Sequence, residues 1–340
     1  MTTTANLGFP RVGATRELKW ALERAWREDR YDELRATAAS LRCRHWTLQR
    51  ERGIGRVPVG DFSLYDHVLD AALAVGAVPE RFGGRPFDPE SGDDDDLRRY
   101  FMMARGGRLG GADRAPLELT KWLDTNYHYL VPELAPVQVF APRPSRMVAH
   151  LREATSLGVA ARPVLLGPVS LLGLAKRTDG GEPIGLLDRL LPAYTDLVAR
   201  LRAEGAAYFQ FDEPLLVTDL DPQFTRAYRR AYASLRDATG DAEVTLATYF
   251  GPLGDNTELA TSLPVDVLHL DLVRGRDQLD AVIAARPDTL ALSLGLVDGR
   301  NIWRSDLDAL IPIVAHAIDR LGSDGVQLAP SCSLLHLPVD

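Results

Sequence analysis

Cysteine is nearly absent from this sequence. Cys43 and Cys332 are the only two in 340 residues. Two cysteines so far apart make no disulfide framework, and a reducing, cytoplasmic setting is the expectation. No apolar run approaches the roughly 18 to 20 residues of a membrane span. The opening MTTTANLGFP has neither a basic stretch nor an apolar core, so no secretory signal is expected. Positive charge is also in deficit. The net charge is −8, with acid spread along the chain except at Asp93-Asp94-Asp95-Asp96. A nucleic-acid partner wants a basic surface and is disfavoured. Lysine is scarcer still, for Lys19, Lys121 and Lys176 stand against 36 arginines. Such a skew goes with nucleotide composition rather than function, and it marks the three lysines for inspection. Several catalytic signatures are missing. There is no His-x-Cys, CxxC or HExxH pattern, no GxSxG, no Walker A loop and no convincing dinucleotide fingerprint. His45, His67, His128, His150, His269 and His316 show no catalytic spacing.

What is present is a globular composition, 46% hydrophobic and 25% charged. Short apolar runs alternate with long amphipathic stretches, the pattern of βα units. Strands are expected at 6–9, 56–62, 117–121, 162–167, 207–212, 244–249, 267–272, 289–295 and 326–329. Runs such as PVLLG and LALSLGL suit parallel strands covered on both faces. Nine candidates against the eight of a barrel mean that one is misread or lies outside the ring. Helices are expected at 15–27, 31–52, 188–204, 225–239 and 306–321, with Pro192 inside one of them. The stretches 83–96 and 106–116 are rich in Gly, Pro and acid and read as mobile loops. The expected fold is a single TIM-type (β/α)8 barrel over 1–340, with extra N-terminal helices.

Four places carry candidate chemistry. Leu7-Gly8-Phe9-Pro10-Arg11-Val12-Gly13 leads into Arg16-Glu17-Leu18-Lys19. A strand, a glycine turn and a helix start at about Thr15 would put Arg16 and Lys19 on one face of a first helical turn. Acids are preferred there, so two cations suit an anionic ligand, or else a solvated surface helix. Leu119-Thr120-Lys121-Trp122, running on to Tyr127-His128-Tyr129, sets a lysine and a polar, aromatic cluster at a strand end. That suits the ligand-binding face of a barrel, or a loop packing its own aromatics. Gln210-Phe211-Asp212-Glu213-Pro214 offers two adjacent acids, for acid–base work or a cation, or for capping a helix and pairing with Arg. Ser331-Cys332-Ser333 with His336 invites a metal, but a tetrahedral site would need further ligands and the structural reading stands ahead.

The motifs LGFPRVGATRELK, RCRHW, PVGDFSLYDHVLD, LTKWLDTNYHYLVPE, RPVLLGPVSLL, QFDEP, TYFG, LVDGRNIWRSDL and SCSLLHLPVD occur in this order. From Leu7 to Asp340 the chain resembles the N-terminal, folate-binding half of cobalamin-independent methionine synthase. The resemblance implies two facing barrels, with 5-methyltetrahydrofolate polyglutamate as substrate between them. It implies substrate contacts at Arg16, Glu17, Leu18, Lys19 and Lys121, and methyl transfer to homocysteine. It places zinc in the C-terminal barrel, which supplies the catalytic residues and is not among these 340 residues. In this barrel the strands corresponding to the zinc ligands end at Thr248-Tyr249-Phe250, Asp271 and Cys332, so no metal and no bound cofactor are expected here. The expected partners are the folate and a zinc-bearing C-terminal domain, without which the chain alone does not turn over. Two other readings stay open. One is a stand-alone folate-binding or regulatory module. The other is a repurposed barrel enzyme using Asp212, Glu213 and Asp271.

Overall fold

Alternation along the strands builds the molecule from the inside. A computed structural model describes residues 2–338. Met1, Val339 and Asp340, which the 1–340 barrel and the motif SCSLLHLPVD include, lie outside the described residues. Eight parallel strands form one sheet in sequential order. They are β1 (Thr3–Thr4), β2 (Val57–Val59), β3 (Ala161–Leu166), β4 (Tyr208–Asp212), β5 (Glu243–Ala247), β6 (Val267–Asp271), β7 (Ala291–Val297) and β8 (Val326–Pro330). The ring closes where Ala5 bridges Arg56 and the Asn6 N–H donates to the Arg56 carbonyl at 3.0 Å. The expected (β/α)8 barrel is the fold.

On β4, Phe209 and Phe211 point outward and pack under the helices, with Phe211 edge-on to Tyr232. Gln210 points inward and donates to the Leu7 carbonyl at 3.0 Å. The period of two repeats around the ring, so the interior holds Arg162, Gln210, Thr245, His269 and Ser293, all fully buried. Buried polar groups persist only when hydrogen-bonded. Arg162 donates to the Asn6 carbonyl at 2.6 Å, and His269 Nδ1 meets Ser293 Oγ at 3.0 Å.

The helices are α1 (Glu17–Glu28), α2 (Tyr31–Glu51), α3 (His67–Ala74), α4 (Asp94–Arg105), α5 (Ser145–Ser156), α6 (Pro168–Gly173), α7 (Leu187–Ala203), α8 (Pro222–Thr239), α9 (Thr257–Ser262), α10 (Leu279–Ala285) and α11 (Leu307–Leu321). The two expected N-terminal helices form a satellite core of their own. Leu18, Ala21 and Ala25 of α1 and Leu34, Ala38 and Leu41 of α2 join Leu97 and Tyr100 of α4 there. Helix α7 runs on through Pro192.

Four expectations need correction. The first strand lies earlier than 6–9, at Thr3–Thr4, because the Phe9 N–H goes to the Asp61 carboxylate at 2.8 Å instead of a strand partner. The run 117–121 is the one outside the ring. Its Leu119–Lys121 pairs antiparallel with His128–Leu130. Part of 83–96 is helical, for Asp93 accepts from the Asp95 N–H at 2.9 Å and caps α4, placing the acid run in a first turn that favours it. The stretch 106–116 is a hairpin, Gly107–Leu109 against Ala112–Arg114. Its turn residues Gly110 and Gly111 both have positive φ, which a tight hairpin of this hand requires.

Candidate functional site at the barrel mouth

The carboxyl ends of the strands gather side chains that are far apart in sequence. A cavity of about 70 Å³ lies under this mouth, lined by Asp61, His67, Arg146, Asp212, Tyr249 and His336 among others. Asp212 ends β4 pointing inward. Its carboxylate accepts from Gln210 Nε2 at 2.6 Å and from the Tyr249 hydroxyl at 2.8 Å. Burial nevertheless pushes its pKa up to about 7, and burial pushes Asp61 up to about 6. Burial drives both imidazoles the other way, His67 and His336 each to about 3, so they are neutral. The cavity therefore presents carboxyls that exchange protons near neutrality beside uncharged ring nitrogens.

Adjacent acids do not share this site. Glu213 follows Asp212 and so faces the opposite side of the wall. It takes hydrogen bonds from the Ser170 N–H at 2.8 Å and the Tyr228 hydroxyl at 3.2 Å under the helices. Of the two readings left open for QFDEP, the paired-carboxylate site does not form and the two acids serve separate hydrogen-bond networks. Asp271 is turned to its own loop, accepting from the Val273 and Arg274 N–H groups at 3.0 Å each. The three acids of the repurposed-enzyme reading thus serve three different environments.

The Lys121 hairpin lies across the mouth. Tyr127 donates to Asp66 Oδ1 at 2.7 Å, after β2. Asp124 pairs with Arg300 at 3.0 Å, after β7, and with Arg274, after β6. His67 meets the Trp122 ring edge-on at 4.5 Å, and Tyr127 meets His336. Lys121 is exposed at the hairpin end, in register with His128.

Arg16 lies outside the first turn of α1, contrary to the helix start expected at Thr15. It is the residue before the helix, in the left-handed conformation at φ 61°. Glu17 takes the acidic place at the helix start. Its carboxylate accepts from the Thr15 N–H at 3.0 Å and from Arg44 at 2.8 Å, and Arg44 holds its pKa down to about 2. Leu18 is buried in the satellite core. Lys19 is exposed over the Trp20 ring at 5.1 Å. Arg11 joins the two segments, donating to the Tyr65 carbonyl at 2.5 Å and lying 5.9 Å from the centre of the Tyr127 ring.

The family model described as "Cobalamin-independent synthase, N-terminal domain" matches residues 3–321. The chain belongs to this family. A curated relative, the 5-methyltetrahydropteroyltriglutamate–homocysteine methyltransferase of Xylella fastidiosa, is 54% identical over 341 residues, covering 100% of this chain and 44% of that protein. The protein of the same name from Caulobacter vibrioides is 50% identical, covering 99% of this chain and 45% of its own length. The chain thus spans less than half the length of these relatives. Among solved structures, a B12-independent methionine synthase from Shewanella sp. W3-18-1 matches with a TM-score of 0.62 at 13% identity, covering 90% of this chain and 84% of that one. A methyltransferase from Methanosarcina mazei matches with a TM-score of 0.58 at 13% identity, covering 99% and 90%. At such identities these structures speak for the fold alone.

Zinc does not fit the synthase-family mouth seen here. Among the described residues no three His, Cys, Asp or Glu side chains come together as ligands. Tyr249 and Phe250, just after β5, have no thiolate or imidazole to offer, and Asp271 is spent on backbone N–H groups. Burial beside Asp271 pushes the Cys332 thiol up to about 12, away from the thiolate a metal needs. The sequence passed over Asp61, Asp66 and His67 as site residues, and weighed His336 only beside Cys332 as a metal ligand. The one signal for the first three was membership of PVGDFSLYDHVLD, a long motif whose individual side chains had no assigned task.

Proposed function

We propose that this barrel is the folate-binding half of a methyltransferase of methionine biosynthesis. It holds 5-methyltetrahydrofolate polyglutamate at its mouth, with the glutamate tail addressed by Arg16, Lys19 and Lys121, and Glu17 and Leu18 setting the start of α1. Homocysteine and zinc belong to a C-terminal half, and the natural setting is the cytoplasm. One observation carries the reading. Two of the three non-glycine residues with positive φ among the described residues are Arg16 and Leu123. They lie in the two cation-bearing motifs, which Arg11 links. Left-handed backbone costs an ordinary residue roughly 1–2 kcal/mol, and such strain gathers at ligand sites. The relatives' printed name, for a methyltetrahydropteroyltriglutamate methyltransferase, supplies an anionic, multiply charged ligand of the matching class.

Calorimetric titration with the mono- and triglutamate forms tests this. Each added glutamate brings one further carboxylate, and an exposed ion pair contributes up to about 1 kcal/mol. Triglutamate should bind on the order of tenfold more tightly. The advantage should shrink with salt and with Lys19→Gln or Lys121→Gln. Equal affinities at all salt concentrations would refute the tail assignment. Adding the separately expressed C-terminal remainder of the Xylella fastidiosa relative then separates two roles. Restored methyl transfer marks half of an enzyme, and folate binding without rescue marks a stand-alone binding module.

A further inference from the structure

The cavity under the mouth holds groups to which folate binding gives no task. Its volume of about 70 Å³ is several times the roughly 10–15 Å³ that one water needs. Much of its wall is apolar, with Ala71, Val75, Met147, Val164 and Leu166 among the residues. The polar groups facing it are mostly acceptors. Asp61 and Asp212 are acids, and burial holds His67 and His336 neutral, so each ring keeps one acceptor nitrogen. His336 Nδ1 is buried with no hydrogen-bond partner among the described residues. A buried polar atom ordinarily has one.

Among the described residues of the lining, Arg146 is the one cation, and it is committed elsewhere. It donates to the Phe62 carbonyl at 3.2 Å and faces Asp70 at 3.4 Å. Arg162, behind Asp212, donates to the Asn6 carbonyl at 2.6 Å. Other buried acids of this protein are matched by their surroundings. Asp70 has Arg146, Glu90 has Arg42 at 3.3 Å, and Glu213 has donors from Ser170, Tyr228 and Tyr232. Asp61 and Asp212 take hydrogen bonds from Phe9, Gln210 and Tyr249, with no arginine donor among the described residues, and both line the cavity. A buried carboxylate left without a cation is costly, and a cation of the right size would offset that cost.

We propose that this cavity binds a small primary alkylammonium ion, with its head between Asp61, Asp212 and His336 Nδ1. An ammonium head carries three N–H donors and no acceptor, which matches a site of three acceptor groups. A short alkyl stem suits the apolar wall. A metal ion does not suit it, for no three His, Cys, Asp or Glu side chains come together as ligands among the described residues. An amino-acid zwitterion does not suit it either, because Arg146 is already spent and a carboxylate would meet two acids. Burial leaves Asp61 at about 6 and Asp212 at about 7 despite the pull of Arg146 and Arg162, so both are ionised at about pH 8. The other titratable groups at the cavity, Tyr249, His67 and His336, are neutral there. The site uses none of Arg16, Lys19 and Lys121, so the inference stands whether or not the barrel binds folate.

Saturation-transfer NMR on the 340-residue chain tests this, read on the methyl group of ethylammonium at about pH 8 and constant ionic strength. Binding should saturate with a Kd on the order of 1 mM, near the limit for a ligand of about three non-hydrogen atoms. Ethanol lacks the charge, propionate reverses it and alanine adds a carboxylate, so none of them should saturate in that range. Asp61→Asn and Asp212→Asn each keep one acceptor oxygen and should weaken ethylammonium by about tenfold or more. Ala71→Leu guards against an asparagine variant that misfolds. It fills the apolar end, leaves both acids in place and should also abolish the signal. Four results would overturn the proposal. One is the absence of saturable ethylammonium binding to the unaltered chain. Another is ethanol binding equally well, which makes the cavity indifferent to charge. The third is ethylammonium binding unchanged in both asparagine variants. The fourth is Nα-acetyl-lysine methylamide binding more tightly than ethylammonium, which gives the site to a lysine side chain of a partner protein rather than to a free amine.

Discussion

Glu213→Gln should make the protein more stable in alkaline buffer and less stable in acid. Glu213 is fully buried, and its donors are the Ser170 N–H at 2.8 Å, the Tyr228 hydroxyl at 3.2 Å and the Tyr232 hydroxyl at 3.4 Å. These do not offset the loss of water, and burial raises its pKa from 4.5 to about 7. Between those two values the folded protein keeps a proton that the unfolded chain has released. Stability therefore falls as pH rises through the window, and the whole loss is present above about 7. For one group this amounts to about 3 kcal/mol. Glutamine keeps an acceptor for Ser170 and Tyr228 and removes the charge. It gives up one hydrogen bond, about 1 kcal/mol. The net gain at about pH 8.5 is about 2 kcal/mol, a rise in Tm of about 3 °C for a chain of this size. At about pH 4 the variant should instead be weaker by about 1 kcal/mol. Asp212 is present in both proteins, so the difference between their urea or thermal curves isolates Glu213. Equal destabilisation at both pH values would show that the carboxylate is ionised and well paired in the fold, and the burial reasoning would be wrong.

Other consequences are as direct. Arg16→Gly and Arg16→Ala delete the same side chain, but only glycine suits φ 61°. The glycine variant should exceed the alanine variant by about 1 kcal/mol in urea denaturation, and equality would remove the strain argument. Asp66→Ala removes the cap of α3, where Asp66 accepts from the Leu69 N–H at 2.8 Å, and the tether from Tyr127. It should cost about 2 kcal/mol and speed exchange of the Leu130 amide, which also donates to Asp66 at 3.1 Å; unchanged exchange there would mean that the hairpin holds itself. Elemental analysis of the purified chain should find no equimolar zinc, and a tight stoichiometric metal would overturn the account of the β5, β6 and β8 ends.

Much of the architecture was legible in the residues. Period-two runs such as FQFD and LALSLGL mark strands because alternate side chains face interior and helix layer whatever the rest of the chain does. The stripes of α7 and α8 mark helices for the same local reason. Hairpins outside the ring were less legible. Leu119–Lys121 and Gly107–Arg114 have strand-like or loop-like content, and only their partners decide between barrel, hairpin and loop. The candidate site was half visible. RELK and TKWLDTNYHYLVPE stood out as motifs, but the tasks of Asp61, Asp66, His67 and His336 did not.

The sequence by itself determined a cysteine-poor, acidic βα barrel with two long leading helices, because propensity and periodicity act over a few residues at a time. Tertiary structure alone decided that Tyr249 meets Asp212 across the mouth, and that Phe9 gives its N–H to Asp61. It decided that a hairpin is tied over the mouth by Asp124 and Arg300, 176 positions apart. Those outcomes depend on which surfaces meet when the ring closes, and water is excluded only where they meet. Burial then sets each carboxyl's charge, a quantity no neighbouring residue in the sequence can fix.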